Sequence, residues 1–295
     1  MDILTIDVGG TYIKYGLIDN QLNITNKDKI KTPYHNKEDF LLTLKDLYLK
    51  FKNQIEGIAL SVPGRISSTG DMLSAGALTY LEGLELASEL SKICDNIPVS
   101  VENDGKAAAL CEALYGSAKD YSNSVSIIFG TGIGGGVVLN KEILRGSFLI
   151  AGEFSMLFTN FNEENDDRMA SLYSTLSIVK KVKELLGDDS IDGEKMMLLY
   201  DQNNELVVKV LNQWFLAIAK FCYNIDCLFN PDVICIGGGI SANPLFVNKI
   251  NEAIDSLETK TYVFRKPLVK CCHFQNDSNL IGAYCRFKQI SGGQV

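Results

Sequence analysis

The sequence contains no run of basic residues. Its 28 Lys and Arg are outnumbered by 36 Asp and Glu, which gives a formal net charge of −8 and a pI near 4.9. A field of that sign repels a phosphate backbone, so we do not expect nucleic acid as a partner. A single nucleotide is still compatible with this charge, because backbone N–H groups and a magnesium ion hold a triphosphate without a basic surface.

Cysteine and histidine also lack the spacing of a metal site. None of the eight cysteines has a partner at CxxC spacing, so a zinc ribbon is not supported. Most of them lie in apolar runs, which is typical of small buried residues in a reducing compartment. The two histidines, His35 and His273, have no neighbours at ligand spacing, and we interpret both as structural or surface residues.

Neither a signal peptide nor a membrane span is indicated. Asp2 and Asp7 interrupt the apolar stretch at the N-terminus. The most apolar long segment, 207–229, carries Lys209, Lys220 and Asp226 and therefore predicts a buried helix. We expect a cytoplasmic protein that does not contact a membrane.

A pattern of strand, glycine turn and strand occurs twice. ILTIDVGGTYIKYGLID stands near the N-terminus and SVSIIFGTGIGGGVVLN in the second half, while DVICIGGGIS echoes GIALSVPGRIS. Two matches in the same order suggest an internal duplication. Strands alternating with helices, among them helices predicted at 37–52, 84–94 and 279–289, indicate α/β layers.

The length of 295 residues suits two domains. A polar stretch at 116–124 separates the two copies of the pattern, so we predict an N-terminal domain over 1–118 and a C-terminal domain over 119–295. The last helix could pack on either domain, including a return to the N-terminal one.

The first glycine turn has the composition of a phosphate site. Gly9 and Gly10 let the backbone approach a ligand with its N–H groups directed at phosphate oxygens. Thr11 adds a hydroxyl donor, Lys14 a positive charge, and Asp7 a carboxylate that can hold magnesium through water. The alternative is a hairpin turn that happens to be rich in glycine.

The second glycine turn, GTGIGGG, has five glycines in seven positions. Glycine loses more backbone entropy on folding than any other residue, and a hairpin needs only one or two, so a second phosphate loop is favoured. It includes Thr131 and Gly132. It is not a Walker loop, because no Gly-Lys-Ser/Thr follows, and not a dinucleotide fingerprint, because a strand follows instead of a helix.

A third glycine stretch, which includes Gly238 and Gly239, lies between a buried strand and a predicted helix. It can lie flat against the adenosine portion of a nucleotide, or it can be a plain connection.

Asn103 and Asp104 end a predicted strand and open a helix. The carboxyl ends of strands are where α/β proteins place ligand residues, and an aspartate there can accept a proton from a substrate hydroxyl. The alternative is a helix N-cap, for which both residue types are well suited. Glu153 can accept two sugar hydroxyls or can be an ordinary surface residue.

With DVGGT, END, GTGIGGG, AGEF and GGGIS in this order, the sequence resembles the ROK family of bacterial sugar kinases and sugar-responsive repressors. The resemblance covers almost the whole chain. It implies an α/β fold of two actin-like, ribonuclease-H-type lobes with a central cleft, ATP between the lobes, a sugar in the cleft, and a homodimer.

The resemblance also implies roles for individual residues. Asp104 would be the catalytic base, Asn103 and Glu153 would bind sugar hydroxyls, and Gly76 in SAGAL would line the sugar pocket. The residues facing the nucleotide would be Gly9, Gly10, Thr11, Thr131, Gly132, Gly238 and Gly239.

Two departures from the family pattern concern zinc and the sugar pocket. Many members continue GE-x-GH, with the histidine touching the sugar, whereas Met156 stands at that place here. A CxCGxxGCxE zinc motif follows in those members, but this chain has no cysteine between Cys111 and Cys222. We therefore expect no structural zinc, and the zinc-free branch, which includes β-glucoside kinases and some hexose and N-acetylmannosamine kinases, is more similar.

The expected activity is the ATP- and Mg²⁺-dependent phosphorylation of a primary sugar hydroxyl. A repressor of the same family carries a helix-turn-helix ahead of the first glycine motif, and six residues before Asp7 leave no room for one. An actin-like ATPase shares the DxGG turn, but END and AGEF favour a kinase, because a sugar needs a base and hydroxyl acceptors. A sugar-binding module without activity is the third alternative.

Overall fold

The first of two five-stranded sheets is built from the N-terminal half of the chain. In the computed structural model, which describes residues 1–160, 167–258 and 265–292, its strand order is β3-β2-β1-β4-β5. Strands β1 to β3 form an antiparallel meander, whereas β4 and β5 run parallel to β1. The strands are β1 (Asp2–Val8), β2 (Tyr12–Ile18), β3 (Ile24–Lys31), β4 (Ile55–Val62) and β5 (Val99–Asn103).

The second sheet repeats this topology. Its order is β10-β9-β6-β7-β8, with β7 antiparallel to β6, and with β9 and β10 continuing the sheet in parallel. Each sheet therefore starts with a hairpin at a glycine turn and adds two parallel strands on the other side of its first strand, as the duplicated pattern predicts. The strands are β6 (Ser124–Phe129), β7 (Ile133–Leu139), β8 (Glu142–Ile143), β9 (Val233–Gly237) and β10 (Val269–Cys271).

Nine α-helices lie in the described parts of the chain. They are α1 (Lys37–Phe51), α2 (Leu86–Ile93), α3 (Asp104–Leu114), α4 (Met169–Tyr173), α5 (Thr175–Leu186), α6 (Gly193–Asp201), α7 (Glu205–Phe229), α8 (Pro244–Glu258) and α9 (Ser278–Ile290). Short 3₁₀ helices cover Thr79–Leu81, Phe154–Met156, Gly239–Ala242 and Gln275–Asp277.

The chain folds into two compact units, and neither is continuous in sequence. The first comprises Met1–Leu114, Arg145–Ala151 and the part from Asp277 onward, and the second comprises Tyr115–Leu144 and Gly152–Asn276. The last helix packs on α3 and on the strands of the first sheet, because Gly282 allows α9 to lie against the backbone of Ala107. The division at 118 and 119 thus remains a prediction that differs from these units at 115–118 and at 145–151, while the C-terminal helix joins the first unit, one of the two options that the sequence left open.

Helix α7 is the structural counterpart of the long apolar segment at 207–229. It is long and apolar enough to cross a membrane by length and composition, but half of its most apolar window is buried, as in a core helix. Its buried side chains join the hydrophobic core of the second unit, where Trp214 packs against Phe129 and Phe246. In the first unit a separate apolar core forms between the sheet, α1 and α2.

Most cysteines are buried, as the sequence indicates. Six of the eight are buried, Cys271 is partly buried and Cys227 is exposed. Burial raises the pKa of the Cys94 thiol to about 11 and that of the Cys222 thiol to about 12, so both stay protonated at neutral pH. These thiols act as small apolar side chains.

Candidate active site

The first glycine turn joins β1 to β2 and is braced from the side. The strands end at the pair Val8 and Ile13, and the Gly9 N–H donates to the Tyr12 carbonyl at 3.0 Å. The Thr32 hydroxyl donates to the Gly9 carbonyl at 2.7 Å, and the Thr32 N–H to the Thr11 carbonyl at 3.1 Å. The carbonyls of Gly9 and Thr11 are thereby tied into the fold, which orients the peptides of the turn.

Asp7 lies one step down β1 from this turn, directly opposite Lys14 on β2. The Lys14 ammonium is 3.8 Å from one carboxylate oxygen, and the Asn279 amide of α9 donates to the other at 2.9 Å. Burial raises the pKa of the Asp7 carboxyl above its ordinary value, and Asn279 and Lys14 offset part of that rise. A buried carboxylate with one cation beside it is a suitable neighbour for a metal that bridges phosphate oxygens.

The residues expected to form the sugar pocket in the first unit are linked through the turn that follows β4. After β4 the chain turns at Pro63 and Gly64, where Gly64 has φ of +95° and lies so close to Ser74 that a Cβ would be 2.1 Å from its carbonyl oxygen. At Gly76, which has φ of +54°, an added Cβ would lie 3.3 Å from the Pro63 ring. The Asn103 amide donates to the Gly64 carbonyl at 2.9 Å.

Asn103 and Asp104 stand at the end of β5 and the start of α3. The Asn103 side-chain oxygen accepts from the Lys106 N–H at 3.0 Å, which is an N-cap bond. Its amide nitrogen donates to Asp104 Oδ1 at 3.0 Å as well as to Gly64. Asn103 therefore acts as the helix cap and also holds Asp104 beside Gly64, so the two interpretations of this pair are compatible.

Asp104 is partly buried, and its Oδ1 also accepts the Gly105 N–H at 2.7 Å. The start of the eleven-residue helix α3 favours a negative charge at this position. A carboxylate that is fixed by two hydrogen bonds and stabilised as an anion is suited to accept a proton from a hydroxyl.

Glu102, the residue before this pair, is fully buried and is bound by two arginines. Arg145 reaches it with both terminal nitrogens, one of them 3.2 Å from Oε1, and Arg286 Nε lies 3.6 Å from Oε2. Glu102 Oε1 also accepts the Asn103 N–H at 2.9 Å. Sequence reasoning missed this cluster, because partners 43 and 184 residues along the chain leave no local signal.

In the second unit, the glycine turn between β6 and β7 packs against the segment that carries Glu153. The Ser155 hydroxyl accepts the Ile133 N–H at 2.8 Å and donates to the Ile133 carbonyl at 3.1 Å. Gly135, with φ of +154°, lies against the Phe154 ring and the Ser126 carbonyl, where a Cβ would clash. At least one of the five glycines, Gly135, is therefore needed for close packing inside the unit and not for ligand binding.

Other residues expected in this part of the site are partly or well exposed. Gly132 and Glu153 are partly buried, and Thr131 is exposed. Met156, at the place of the family histidine, is 56% exposed and its sulfur lies 3.9 Å from an Arg168 nitrogen.

Gly238 follows β9 in a conformation that requires glycine. Its φ is +97°, and a Cβ would lie 2.0 Å from the Phe129 carbonyl oxygen at the end of β6. The 3₁₀ helix from Gly239 borders a cavity of about 720 Å³, a volume typical of small-molecule sites. The cavity is lined by Thr175, Asp192, Gly193, Glu194, Met197, Gly239, Ile240, Ala242, Asn243 and Pro244.

Within this cavity, the Thr175 hydroxyl is buried and has no hydrogen-bond partner among the described residues. The sequence predicted Gly238 and Gly239 as nucleotide-site residues. It did not predict the lining residues from α5 and α6, because no local sequence pattern identifies them. In the described ranges, no three His, Cys, Asp or Glu side chains meet in a way that could hold a metal ion.

Comparison with known proteins agrees with these motifs. The sequence model described as "ROK family" matches residues 3–290. The chain is 28% identical to a β-glucoside kinase of Listeria monocytogenes over 98% of each chain. A ROK family protein of Streptococcus pneumoniae, solved with sucrose, superposes with a TM-score of 0.90 at 32% identity over 99% of each chain.

The ROK hexokinase of Thermus thermophilus superposes with a TM-score of 0.83 at 22% identity, over 99% of this chain and all of the other, a likeness that bears on the fold alone. The predicted α/β class with two actin-like lobes is confirmed by this likeness and by the two sheets of matching topology. The chain belongs to the ROK family.

Proposed function

We propose that the chain is an ATP-dependent kinase that transfers a phosphoryl group to the primary 6-hydroxyl of a glucose-like hexose or hexoside. The observation that carries the proposal is the bonding of Asn103 in the first unit. Asn103 caps α3, holds Asp104 Oδ1 and binds the Gly64 carbonyl, and Gly76 lies near the Pro63 ring, which precedes Gly64. A carboxylate fixed at the end of a parallel strand, beside a close glycine turn, suits a base in a sugar pocket.

Asp104 is the proposed base. It accepts the proton of the sugar hydroxyl as the hydroxyl oxygen attacks the terminal phosphorus of ATP, whose bond to the bridging oxygen breaks so that ADP leaves. Beyond this, phosphoryl transfer needs only alignment and charge stabilisation from the protein. Asn103, Glu153 and Gly76 orient the sugar. The remaining hydrogen-bonding capacity of Asn103 is one lone pair of its side-chain oxygen, because its two amide hydrogens are used within the protein.

The proposed ATP site uses the three glycine stretches. Backbone N–H groups of Gly10, Thr11, Thr131 and Gly132 bind the phosphates. The Gly9 N–H is bonded to the Tyr12 carbonyl, and Gly9 instead lets the backbone approach the phosphates closely. Gly238 and Gly239 lie against the adenosine portion, which enters the cavity of about 720 Å³.

Mg²⁺ is the cofactor that neutralises phosphate charge in such reactions. Asp7 would hold it through water, and the ordinary Mg²⁺ set of one or two carboxylates with phosphates and water fits a site with one carboxylate and Lys14 beside it. We further propose a cytoplasmic homodimer without structural zinc.

A sugar panel tests the activity. ATP consumption and product formation are measured with glucose, methyl β-glucoside, cellobiose and N-acetylmannosamine. Phosphorylation of glucose or a β-glucoside supports the proposal, and exclusive use of N-acetylmannosamine would assign the chain to the alternative kinase specificity. Sugar binding without any product would identify a sugar-responsive regulator or binding module.

Asp104→Asn tests the mechanism. Loss of the base is expected to lower kcat about 10²- to 10⁴-fold, with sugar binding largely retained. Asp39→Asn is the matched control, since Asp39 also lies in the first turn of a helix. Wild-type turnover in a folded Asp104→Asn protein would show that another group accepts the proton.

A further inference from the structure

The proposed base is connected by hydrogen bonds to the buried carboxylate of Glu102. Glu102 Oε1 accepts the N–H of Asn103, the last residue of β5, at 2.9 Å. The Asn103 side chain in turn donates to Asp104 Oδ1 at 3.0 Å and caps α3 by accepting the Lys106 N–H at 3.0 Å. The place of the Glu102 carboxylate therefore affects the orientation of Asn103, and through Asn103 that of the base.

Two arginines hold this carboxylate in different ways. Arg145 uses both terminal nitrogens, with Nη1 at 3.2 Å from Oε1 and Nη2 bonded to Oε2. Arg286 of α9 lies beside Oε2, with its Nε at 3.6 Å. Glu102 is fully buried and the two arginine side chains are mostly buried, so water screens these charges only weakly. Arg145 therefore shares Oε1 with the Asn103 N–H.

The two-point contact of Arg145 fixes the plane of the carboxylate as well as its position. Without Arg145, Arg286 still attracts Oε2, and the carboxylate can turn so that Oε1 leaves the Asn103 N–H. Asn103 also binds Asp104 Oδ1, so its movement changes the direction of the base. A displacement of about 1 Å in groups that align a reaction can lower its rate about 10²-fold.

We infer that Arg145 is a positioning residue for phosphoryl transfer, and that it acts through Glu102 and Asn103 on the direction of the Asp104 carboxylate. This inference rests on the proposed function. The proton still passes from the sugar hydroxyl to Asp104, and Arg145 keeps its own protons throughout. Because Arg145 acts on the base through other residues, its loss lowers the rate of the chemical step more than the binding of the sugar or of ATP.

Steady-state kinetics of Arg145→Met test the inference with the sugar that the wild type phosphorylates best. Methionine keeps an unbranched side chain without the guanidinium, and Arg286 still balances the charge of Glu102, so we expect the variant to fold. Its kcat should fall about 10²-fold, while KM for the sugar and for ATP stays within about threefold. Circular dichroism and melting curves give the folded fraction at the assay temperature.

Restoring the guanidinium distinguishes positioning from folding. Arg145→Ala leaves space for a guanidinium ion, and millimolar guanidine hydrochloride is far below the molar concentrations that unfold proteins. We expect it to raise the kcat of this variant about tenfold, whereas sodium chloride at the same concentration should not. Arg145→Lys keeps the charge without the planar fork, so its kcat should lie between those of Arg145→Met and the wild type.

Arg265→Met is the matched control, because Arg265 pairs with Asp226 at 2.6 Å in the second unit. Its kcat should equal that of the wild type. Wild-type kcat in folded Arg145→Met would overturn the inference, and so would a loss that appears in the sugar KM alone. A loss of kcat that matches the unfolded fraction, and that guanidinium does not reverse, would show that Arg145 serves folding only.

Failure of the proposed function gives a different result, because the wild type then phosphorylates none of the sugars. Amide hydrogen exchange measured by NMR still tests the contact between Arg145, Glu102 and Asn103 without a substrate. The Asn103 N–H should exchange at least about tenfold faster in folded Arg145→Met than in the wild type, while the amides of the second sheet keep their rates. Unchanged exchange at Asn103 would overturn the inference.

Discussion

The two sheets have the same strand order but carry different chemistry at matching positions. One step from the hairpin turn, the first sheet pairs Asp7 with Lys14, whereas the second pairs Ile128 with Gly134. The neighbouring parallel strand has Ser61 in the first sheet and Gly237 in the second. One copy of the fold therefore keeps charged and polar groups beside its turn, and the other has almost no side chains there.

This difference suggests a division of labour in the proposed kinase. Side chains that hold a proton or a cation belong to the first unit, with Asp7, Lys14 and Asp104. The second unit contributes backbone and shape, because Gly135 and Gly238 adopt positive φ and pack against carbonyl groups. A duplicated scaffold can take on two roles in this way through changes at a few strand ends.

The largest effect on stability is expected at Glu102, where the copies differ most. In the first sheet Glu102 of β5 lies opposite Ser61 of β4. In the second sheet the residue beside Gly237 at the matching position is Cys272. Glu102→Gln leaves Arg145 and Arg286 without their shared carboxylate, so we expect a loss of about 3–5 kcal/mol in the free energy of unfolding. Urea unfolding monitored by tryptophan fluorescence and circular dichroism measures it.

Two variants serve as controls for that loss. Cys272→Ser changes a buried residue without breaking an ion pair, and Glu184→Gln removes an exposed partner of Lys180 at 3.9 Å. Both should cost much less than Glu102→Gln. If Cys272→Ser lowered the free energy of unfolding as much as Glu102→Gln, the two sheets would not differ in the stability contributed at this position.

The next effect is expected at Gly238. The residue of the first sheet that matches Gly238 is Val62, which follows Ser61. Val62 carries a side chain, whereas Gly238 has φ of +97° and no space for a Cβ. Gly238→Ala should lower the free energy of unfolding by about 2–3 kcal/mol and weaken nucleotide binding at least about tenfold. Gly130→Ala, with no atom within 4 Å of the new Cβ, should leave stability close to that of the wild type. Equal stability of the two variants would mean that the positive φ of Gly238 and its close contact with Phe129 do not require glycine.

Much of this arrangement could be predicted from local patterns. The helix predicted at 37–52 is found at Lys37–Phe51, because polar residues and Asn36 mark its start, and the glycine turns fall between the predicted strands. Long-range effects could not be read in the same way. Arg145 joins the first unit through a carboxylate 43 residues earlier, and Gly135 serves the packing of Phe154, so neither the discontinuous units nor the second use of glycine was predictable.

A smaller effect is expected where a hydroxyl braces each turn. Thr32 donates to the Gly9 carbonyl in the first unit, and Ser155 bonds the Ile133 peptide in the second. Thr32→Val should cost about 1 kcal/mol in the free energy of unfolding, the usual net value of one hydrogen bond, and Ser155→Ala, which loses two, about 2 kcal/mol. Thermal and urea unfolding of both variants test whether the copies are equally braced. If only one variant lost stability, the glycine turn of the other unit would be stabilised by its backbone contacts without the hydroxyl.

The smallest effect on stability, and one of opposite sign, is expected for Asp7→Asn. Burial raises the pKa of the Asp7 carboxyl above its ordinary value of 3.8, so the folded state binds the proton more tightly than the unfolded chain. The ionised carboxyl therefore costs stability as pH rises above 3.8 and through the folded pKa, whereas asparagine does not titrate. Asp7→Asn should melt at a higher temperature than the wild type at pH 7, with a difference that shrinks toward pH 4, while kinase activity falls. Melting curves from pH 4 to 8 measure this difference. A lower melting temperature at pH 7 would mean that Lys14 and Asn279 stabilise the Asp7 anion by more than burial destabilises it. The pair of Asp7 and Lys14 would then stabilise the folded protein in addition to serving ligand binding.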